Sequence, residues 1–351
     1  MPIALRPKLL VPLAVLVLAL ALPAAAGATL AFVRNPSHPV VYAAADDGSG
    51  AHRIARGEGP HVSPDGEMVA FSVEGPGHRP ELKLAPAASG PARRLMVNWR
   101  ETSSLAFSPD SKTIAALRGP ELGKEKLVLI DVASGAQRVV ASGYFGGFSF
   151  SPDGSEIVYS LAASERFPPR SDVYRSEIEG SGKVFVRAPR PVRLTHDHRS
   201  SDPLWGPAGK IVFVRALDAK KRRYGPKNEL FLMTPQGRSV ERLTHTRVPE
   251  LLQGLFPTDW SANGSRLLAE FEGQDTSYAV AVNPKTGAQR PIAEAGEAGF
   301  VGTALSADGR LVLGFTGGFE PGPRHDVVAI PYLGGKPRVL AKGAFAPAWN
   351  R

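Results

Sequence analysis

One short segment, Thr195-His196-Asp197-His198-Arg199, brings two imidazoles, a carboxylate and a guanidinium together, and Asp202 follows closely. Imidazoles flanked by carboxylates can bind a divalent metal ion. His245, beside Arg247 in the equivalent segment one repeat later, and the more distant His325 could supply further ligands. Two histidines in one loop lack the third and fourth ligands that a metal site needs. We therefore predict exposed binding residues here, with no metal and no cofactor.

A second candidate is a compact basic run, Lys220-Lys221-Arg222-Arg223, which ends at Tyr224. Clustered cations attract polymers that carry phosphate or carboxylate groups, and a solvated surface loop is the simpler alternative. The whole chain has a formal net charge of +9, so an anionic envelope polymer or an envelope protein is the expected partner. Nucleic acid is not expected, because no basic segment is interleaved with stacking aromatic residues.

Several other chemistries find no support in the residue types. The 351 residues include no cysteine, which excludes disulfides, thiolate nucleophiles and cysteine-ligated metals. No Gly-x-Ser-x-Gly elbow and no glycine-rich phosphate loop occurs. The sequence therefore predicts no catalytic residues and a chain that is not an enzyme.

The first 28 residues have the pattern of a targeting segment. Arg6 and Lys8 precede an apolar run from Leu9 to Leu22, and Ala26-Gly27-Ala28 offers a small-residue cleavage site. The run is short for a spanning helix of about 20 residues. A cleaved signal peptide is favoured, and an uncleaved N-terminal anchor is the alternative and the only expected membrane contact. We expect the rest of the chain to be exported: periplasmic, extracellular, or anchored outside the cytoplasmic membrane.

The elements that must position these side chains are set by a repeated turn phrase, spaced at about 43 to 55 residues. Clear copies read Ser-Pro-Asp and then Gly or Ser, and degenerate copies keep the same outline; the copies begin at Ser63, Ser108, Ser151, Gly206, Ser261 and Ser306. A β-rich run follows each copy. This period is typical of the four-stranded antiparallel blade of a β-propeller.

The seventh copy is divided between the two ends of the chain. Ala346-Pro347-Ala348-Trp349-Asn350 resembles the start of the phrase, and Leu30-Ala31-Phe32-Val33-Arg34 resembles its continuation. We therefore predict an all-β, monomeric, seven-bladed β-propeller in residues 29–351, its ring closed by the C-terminal strand pairing with the N-terminal segment. The predicted blades are residues 59–102, 103–145, 146–200, 201–255, 256–300, 301–343, and a split blade of 29–58 with 344–351.

The turn aspartates could be mistaken for a ring of acids or metal ligands. Asp65, Asp110, Asp153 and Asp308 recur once per blade at a tight turn, where an Asp side chain can bond nearby backbone amides. Asn263 occupies the same position in another copy, so a carboxylate is not required there. We predict a structural role for all of them.

The repeat as a whole resembles the WD-like propeller repeats of the TolB family. The resemblance rests on Phe150-Ser151-Pro152-Asp153-Gly154, on the Asp-x-Tyr strand at Asp172, and on Arg193-Leu194-Thr195 and Arg242-Leu243-Thr244. It implies a propeller fold and a role like that of TolB, a periplasmic partner in an envelope complex. TolB adds an N-terminal α/β domain to six blades, and this chain is expected to have seven blades without that domain.

Loop length indicates which face of the propeller binds. The Asp-Gly turns on one face are short, whereas the opposite face receives the long segments 161–171, 195–203, 216–227, 244–257 and 316–324. The leading hypothesis is therefore a non-catalytic, exported scaffold that binds a protein partner or an envelope polymer through this long-loop face. The alternative is a carbohydrate-active enzyme such as a metal-dependent polyuronide lyase, which would need His196, His198 and His245 to converge on one ion.

Overall fold

The computed structural model describes residues 29–99, 105–119, 124–164, 170–178, 190–218, 226–249, 252–273, 277–292, 299–317 and 325–350. All regular secondary structure in these ranges is β-strand. Accordingly, the described residues contain no helix that could cross a bilayer. The predicted targeting segment, residues 1–28, lies outside them.

The strands form consecutive four-strand units, named here in the order in which they follow one another along the chain. Unit 1 contains β1 (Thr29–Arg34), β2 (Val40–Ala45) and β3 (His52–Arg56), and its fourth strand is β27 (Ala344–Trp349). Unit 2 contains β4 (Glu58–Val62), β5 (Met68–Glu74), β6 (Pro80–Pro86) and β7 (Arg93–Val97). Unit 3 contains β8 (Leu105–Phe107), β9 (Thr113–Arg118), β10 (Glu125–Asp131) and the first part of β11 (Gln137–Phe150).

The remaining units follow the same antiparallel order. Unit 4 contains the second part of β11, β12 (Glu156–Ala162), β13 (Ser171–Glu177) and β14 (Val192–Arg193). Unit 5 contains β15 (Ser200–Trp205), β16 (Ile211–Leu217), β17 (Lys227–Met233) and β18 (Glu241–Arg242). Unit 6 contains β19 (Leu252–Trp260), β20 (Leu267–Gly273), β21 (Ser277–Val282) and β22 (Gln289–Pro291). Unit 7 contains β23 (Phe300–Leu305), β24 (Leu311–Thr316), β25 (Asp326–Pro331) and β26 (Arg338–Lys342).

Two junctions differ from the sequence-based expectation of separate sheets. The sequence suggested one strand near residues 137–140 and another at 148–150, but β11 runs continuously and is shared by units 3 and 4. A single parallel bridge, Asn228 with Gly254, links units 5 and 6. At the first junction the chain stays extended from the outer strand of unit 3 into the inner strand of unit 4. At the second, the bridge joins the third strand of unit 5 to the inner strand of unit 6.

The two ends of the described chain pair with each other. β27 is antiparallel to β1, with Leu30 opposite Trp349 and Arg34 opposite Ala344. The backbone N–H of Asn350 donates to the carbonyl of Thr29 at 3.1 Å, and the Asn350 side chain accepts from the N–H of Thr29 at 2.6 Å. The last strand is therefore the inner strand of unit 1, which is the pairing that the sequence predicted.

The hydrophobic core lies between units. Each of seven clusters of buried apolar residues in the described structure draws its members from two consecutive units, including units 7 and 1. In the cluster between units 7 and 1, Phe32 packs with Leu313 and Val327. The inner strands also contact one another in the same order, β27 with β4 among them. The units are thus held by face-to-face packing across every junction.

The turn phrase is a closed set of local hydrogen bonds. In unit 4, Ser151 Oγ donates to Asp153 Oδ1 at 2.6 Å, and the N–H of Glu156 donates to Ser151 Oγ at 2.9 Å. Asp153 Oδ1 also accepts from the N–H of Ser155 at 3.0 Å. The hydrogen bonds from Ser151 and Ser155 lower the pKa of Asp153. Asn263 makes the equivalent bonds in unit 6, so the predicted structural role of the turn aspartates is confirmed.

Candidate functional site

A buried carboxylate fastens the loop that leaves unit 4. The Asp172 side chain is 3% exposed, and Oδ1 accepts from Thr195 Oγ1 at 3.1 Å and from the N–H of His198 at 3.0 Å. Oδ2 accepts from Arg193 Nη2 at 2.5 Å and lies 2.9 Å from His198 Nδ1. Thr195 Oγ1 in turn accepts from the N–H of Val173. A carboxylate in such surroundings is stable only because several donors replace its water.

The same arrangement recurs one unit later. The Glu229 side chain is fully buried, and Oε1 accepts from Arg242 Nη2 at 3.1 Å and from the N–H of Thr246 at 2.8 Å. Oε2 accepts from Thr244 Oγ1 at 2.5 Å, and Lys227 Nζ lies 2.9 Å from Oε1. The loop that leaves unit 5 is therefore fastened by one carboxylate in the same way as the loop that leaves unit 4.

These loops occupy the face that the loop lengths indicated. Because the strands of a unit alternate in direction, the connections between units emerge on the same face as those between second and third strands, opposite the Asp-Gly turns. β15 begins at Ser200 and β19 at Leu252, so two of the predicted long segments are shorter than the sequence suggested. The beginning of each connection is held in place by hydrogen bonds to a buried carboxylate.

Asp197, predicted as one of the binding residues, has a structural role in the described loop. Its Oδ1 accepts from the N–H of Arg199 at 3.0 Å and from Ser200 Oγ at 2.9 Å. Its Oδ2 lies 2.6 Å from Arg215 Nε. The Arg215 guanidinium also lies 4.6 Å from the centre of the Phe231 ring. Burial lowers the pKa of Arg215, and the charge of Asp197 opposes that shift. Asp197 thus joins the loop to unit 5.

The remaining predicted loop residues point to solvent. His196, Arg199, His245 and Arg247 are exposed, and the His198 side chain is 45% exposed. No group of three or more His, Asp or Glu side chains in the described ranges is arranged to hold a metal ion. In the described structure, His196, His198 and His245 are not gathered into one group, so they do not form the metal centre that the enzyme alternative requires. The basic run Lys220-Lys221-Arg222-Arg223 lies outside the described residues.

Asp202 belongs to a group of carboxylates at the junction of units 5 and 6. It is half-buried on the inner strand β15, has a positive φ of 48°, and lies against Gly147 of unit 4. A Cβ on Gly147 would stand 3.1 Å from the Asp202 Cα, so the glycine permits this close approach. Burial raises the pKa of Asp202.

Glu272, at the end of β20, was missed by the sequence analysis. Burial raises its pKa to about 7, and the charges of Glu270 and Asp202 add to the shift. Burial likewise raises the pKa of Glu270, which accepts a hydrogen bond from Ser277 Oγ. The alternation Glu270-Phe271-Glu272 was the available signal, because the second strands of units 1, 2 and 3 carry no such pair of acids.

The buried anchors were also missed, although the sequence contains a signal for them. An acidic residue stands among the first three residues of the third strand in five units: Glu81, Glu125, Asp172, Glu229 and Asp326. Glu81 makes the same kind of pair, 3.1 Å from Arg94 of the outer strand. The arginine of the repeat phrase is therefore the partner of a carboxylate on the preceding strand.

Sequence comparison gives limited information. No protein-family model matches the chain. One relative is an uncharacterised protein of Agrobacterium fabrum, 25% identical over 191 residues. The match takes in 53% of this chain and 58% of the relative, so the chain spans little more than half of that protein's length.

Solved structures share the fold over most of this chain. TolB from Acinetobacter baumannii superposes with a TM-score of 0.53 at 16% identity, over 94% of this chain and 68% of its own. A puromycin-hydrolysing peptidase from Mycobacterium tuberculosis superposes with a TM-score of 0.61 at 16% identity, over 91% of this chain and 54% of its own. Oligogalacturonate lyase in complex with manganese superposes with a TM-score of 0.56 at 14% identity, over 90% of this chain and 85% of its own. The predicted resemblance to TolB-type β-propellers is confirmed for the fold, and these identities carry nothing further.

Proposed function

We propose that the chain is an exported, seven-bladed propeller whose ring is closed between units 7 and 1. The seven inter-unit clusters and the pairing of β27 with β1 support the blade number and the closure. The pattern of residues 1–28 supports export through a signal peptide or N-terminal anchor. A closed ring leaves only short, protected strand edges, which suits a monomer without disulfides.

The propeller acts, in this proposal, as a non-catalytic scaffold that binds a protein partner through the long-loop face of units 4 to 6. The observation that carries this proposal is the pair of buried carboxylates, Asp172 and Glu229, beneath two exposed loops. Each accepts a backbone hydrogen bond from the connection that follows it, from His198 in unit 4 and from Thr246 in unit 5. Side chains held in a fixed arrangement before binding lose less conformational entropy when a partner docks.

The chemistry of the face favours an acidic partner. Arg199 and Arg247 are exposed cations on this face, and the exposed side chains of His196, His198 and His245 lie on the same two loops. An anionic envelope polymer would meet the same charges as an acidic protein surface, and the experiment below separates them. Exposed cations contribute mainly to the rate and specificity of association.

Chemical cross-linking in intact source cells, followed by purification of the mature chain, tests this proposal. One abundant protein should co-purify with the wild type and be lost from Arg199→Glu. Arg310→Glu is the matched control, because Arg310 is 81% exposed on the opposite face. A polymer in place of a protein would change the partner class. No partner, or equal recovery with both variants, would contradict the proposal.

A second candidate function is that of a metal-dependent polyuronide lyase. The observation that favours it is the fold likeness to manganese-bound oligogalacturonate lyase, which takes in most of both chains. The described histidines do not fit a metal centre, so no catalytic step is assigned. Metal analysis of protein purified without chelator, together with a panel of polyuronides, decides this point. Stoichiometric metal and a substrate whose turnover is lost in His196→Ala would favour the enzyme.

A further inference from the structure

A groove opens on the opposite face, at the junction of units 6 and 7. It has a volume of about 350 Å³ and is lined by Arg266 after the unit 6 turn, by Asn283, Gln289 and Arg290 of the next hairpin, and by Tyr332 and Leu333 of unit 7. The groove lies among the Asp-Gly turns and the hairpins between third and fourth strands. It is therefore separate from the long-loop face.

Tyr332 gives the groove a rigid floor. The ring is buried, and its hydroxyl lies 3.0 Å from the carbonyl of Leu267 and 2.9 Å from that of Val282, both in unit 6. The equivalent positions of units 2 and 3 hold Ala87 and Val132, which have no hydroxyl. This junction is thus built differently from its counterparts.

Two guanidinium groups contact this tyrosine. Arg266 lies with its guanidinium carbon 5.0 Å from the ring centre and donates from Nη1 to the carbonyl of Gly309 at 2.6 Å. Arg290 donates from Nη2 to the Tyr332 carbonyl at 3.3 Å. A guanidinium has five N–H donors, and these contacts use one from each arginine.

The two arginines of the groove form no ion pair with a described carboxylate, although Asp308 of the neighbouring turn lies close enough to Arg266 to interact with its charge. No described carboxylate lies within ion-pair distance of Arg266 or Arg290, whereas Arg94, Arg193 and Arg242 all have such partners. The lining residues include no acid. Beside the arginines, the Leu333 side chain is 64% exposed, the highest exposed fraction among the large apolar side chains of the described residues.

We propose that this groove binds an acidic polypeptide segment that presents a carboxylate next to an apolar side chain. The carboxylate would accept charge-assisted hydrogen bonds from Arg290 and Arg266, for which arginine geometry is well suited. The apolar neighbour would cover Leu333. The occupant follows from the charge complementarity of two cations and an exposed leucine. The site is independent of the partner proposed for the long-loop face.

Selection of a random-peptide library displayed on phage, against the full mature chain, tests the inference. We expect enriched peptides that place Asp or Glu beside Leu, Ile or Phe. The affinity of a synthetic copy should fall about tenfold for Arg290→Gln and by a similar factor for Leu333→Ser. Both positions are exposed, so both variants should keep the wild-type melting temperature.

Two controls make the result specific to the groove. Lys285→Gln removes an exposed cation of the same hairpin outside the groove, and Arg199→Glu removes one from the opposite face. Both should leave peptide affinity unchanged, so this inference and the proposed partner can fail separately. An absence of acidic consensus peptides, or equal binding by Arg290→Gln and the wild type, would overturn the inference. Binding of an anionic polysaccharide in place of these peptides would also overturn it.

Discussion

The Nδ1 atom of His198 lies 2.9 Å from Oδ2 of Asp172, a carboxylate that is almost completely buried. The imidazole therefore has a fixed orientation, with Nε2 on the side of the ring away from the carboxylate. Arg193 approaches the same oxygen, so one buried carboxylate orients both the Arg193 guanidinium and the His198 imidazole. This relationship joins the interior of unit 4 to the surface that we propose as a binding face.

Replacing Asp172 should show how much this anchor contributes to folding. Asp172→Asn leaves Arg193 without its counter-charge, and we expect the free energy of unfolding to fall by about 3 kcal/mol. Urea denaturation measures this loss. Asp110→Asn is the control, with an expected change below about 0.5 kcal/mol, because Asn263 makes the same turn contacts. Equal effects of the two substitutions would contradict the anchoring role.

Removal of residues 344–351 should destabilise the protein far more than its length suggests. β27 supplies the inner strand of unit 1, and Phe345 and Trp349 pack in the clusters on either side of that unit. We expect a loss on the order of 5 kcal/mol in the free energy of unfolding, measured by chemical denaturation.

A permuted chain provides the control for this deletion. Placing residues 344–350 directly before Thr29, through a short turn, lets the same strand pair with β1, because Asn350 and Thr29 already lie within hydrogen-bond distance. The permuted chain should recover most of the lost stability. A deletion variant as stable as the wild type would contradict closure of the ring by β27.

Glu272 should make stability fall as the pH rises. Its pKa is raised from 4.5 to about 7 in the folded protein, so the folded state holds this proton more tightly than the unfolded chain. The stabilising contribution is complete below pH 4.5 and is lost as the pH rises through about 7. Glu272→Gln mimics the protonated form, and after allowance for solvent screening it should be about 1–2 kcal/mol more stable than wild type near pH 8.

The difference between Glu272→Gln and the wild type should vanish below pH 4.5, as measured by denaturation over the pH range. Glu241→Gln, at an exposed carboxylate of unit 5, serves as the control and should show no such trend. A constant difference between Glu272→Gln and wild type at all pH values would contradict the raised pKa.

His61 should make stability fall as the pH decreases, the opposite of the trend expected for Glu272. Burial lowers its pKa from 6.5 to about 4, so the unfolded chain binds more protons than the folded state between these values. Its contribution is present above pH 6.5 and is lost as the pH falls towards 4. His61→Gln should therefore gain stability relative to wild type near pH 5 and not near pH 8. Identical pH profiles of the two proteins would contradict the lowered pKa of His61.

The sequence predicted those features that depend on local chemistry. Ser151, Asp153 and Gly154 form a turn through bonds between residues a few positions apart, so the phrase could be recognised without a fold. The pairing of the two chain ends was also predicted, because Trp349 and Leu30 lie in the two halves of one recognisable phrase. Features of this kind can be recognised from short stretches of sequence without knowledge of the fold.

The site was predicted less completely because its contacts are not local. Asp172 and Arg193 are brought together by two strands separated by a long connection, whereas Glu229 and Arg242 are much closer in sequence. The spacing therefore varies from unit to unit and conceals the pair. The raised pKa of Glu272 depends on burial and on Asp202 of the neighbouring unit, which only the packing of two units can bring near.

The most direct test of the proposed binding face is site-specific photo-cross-linking in intact source cells. A photoreactive amino acid replaces Arg199 on the long-loop face, or Arg310 on the opposite face as the matched position. The proposal predicts one defined protein adduct from position 199 that position 310 does not give. The same adducts from both positions, or none from position 199, would contradict a scaffold that binds its partner through the long-loop face.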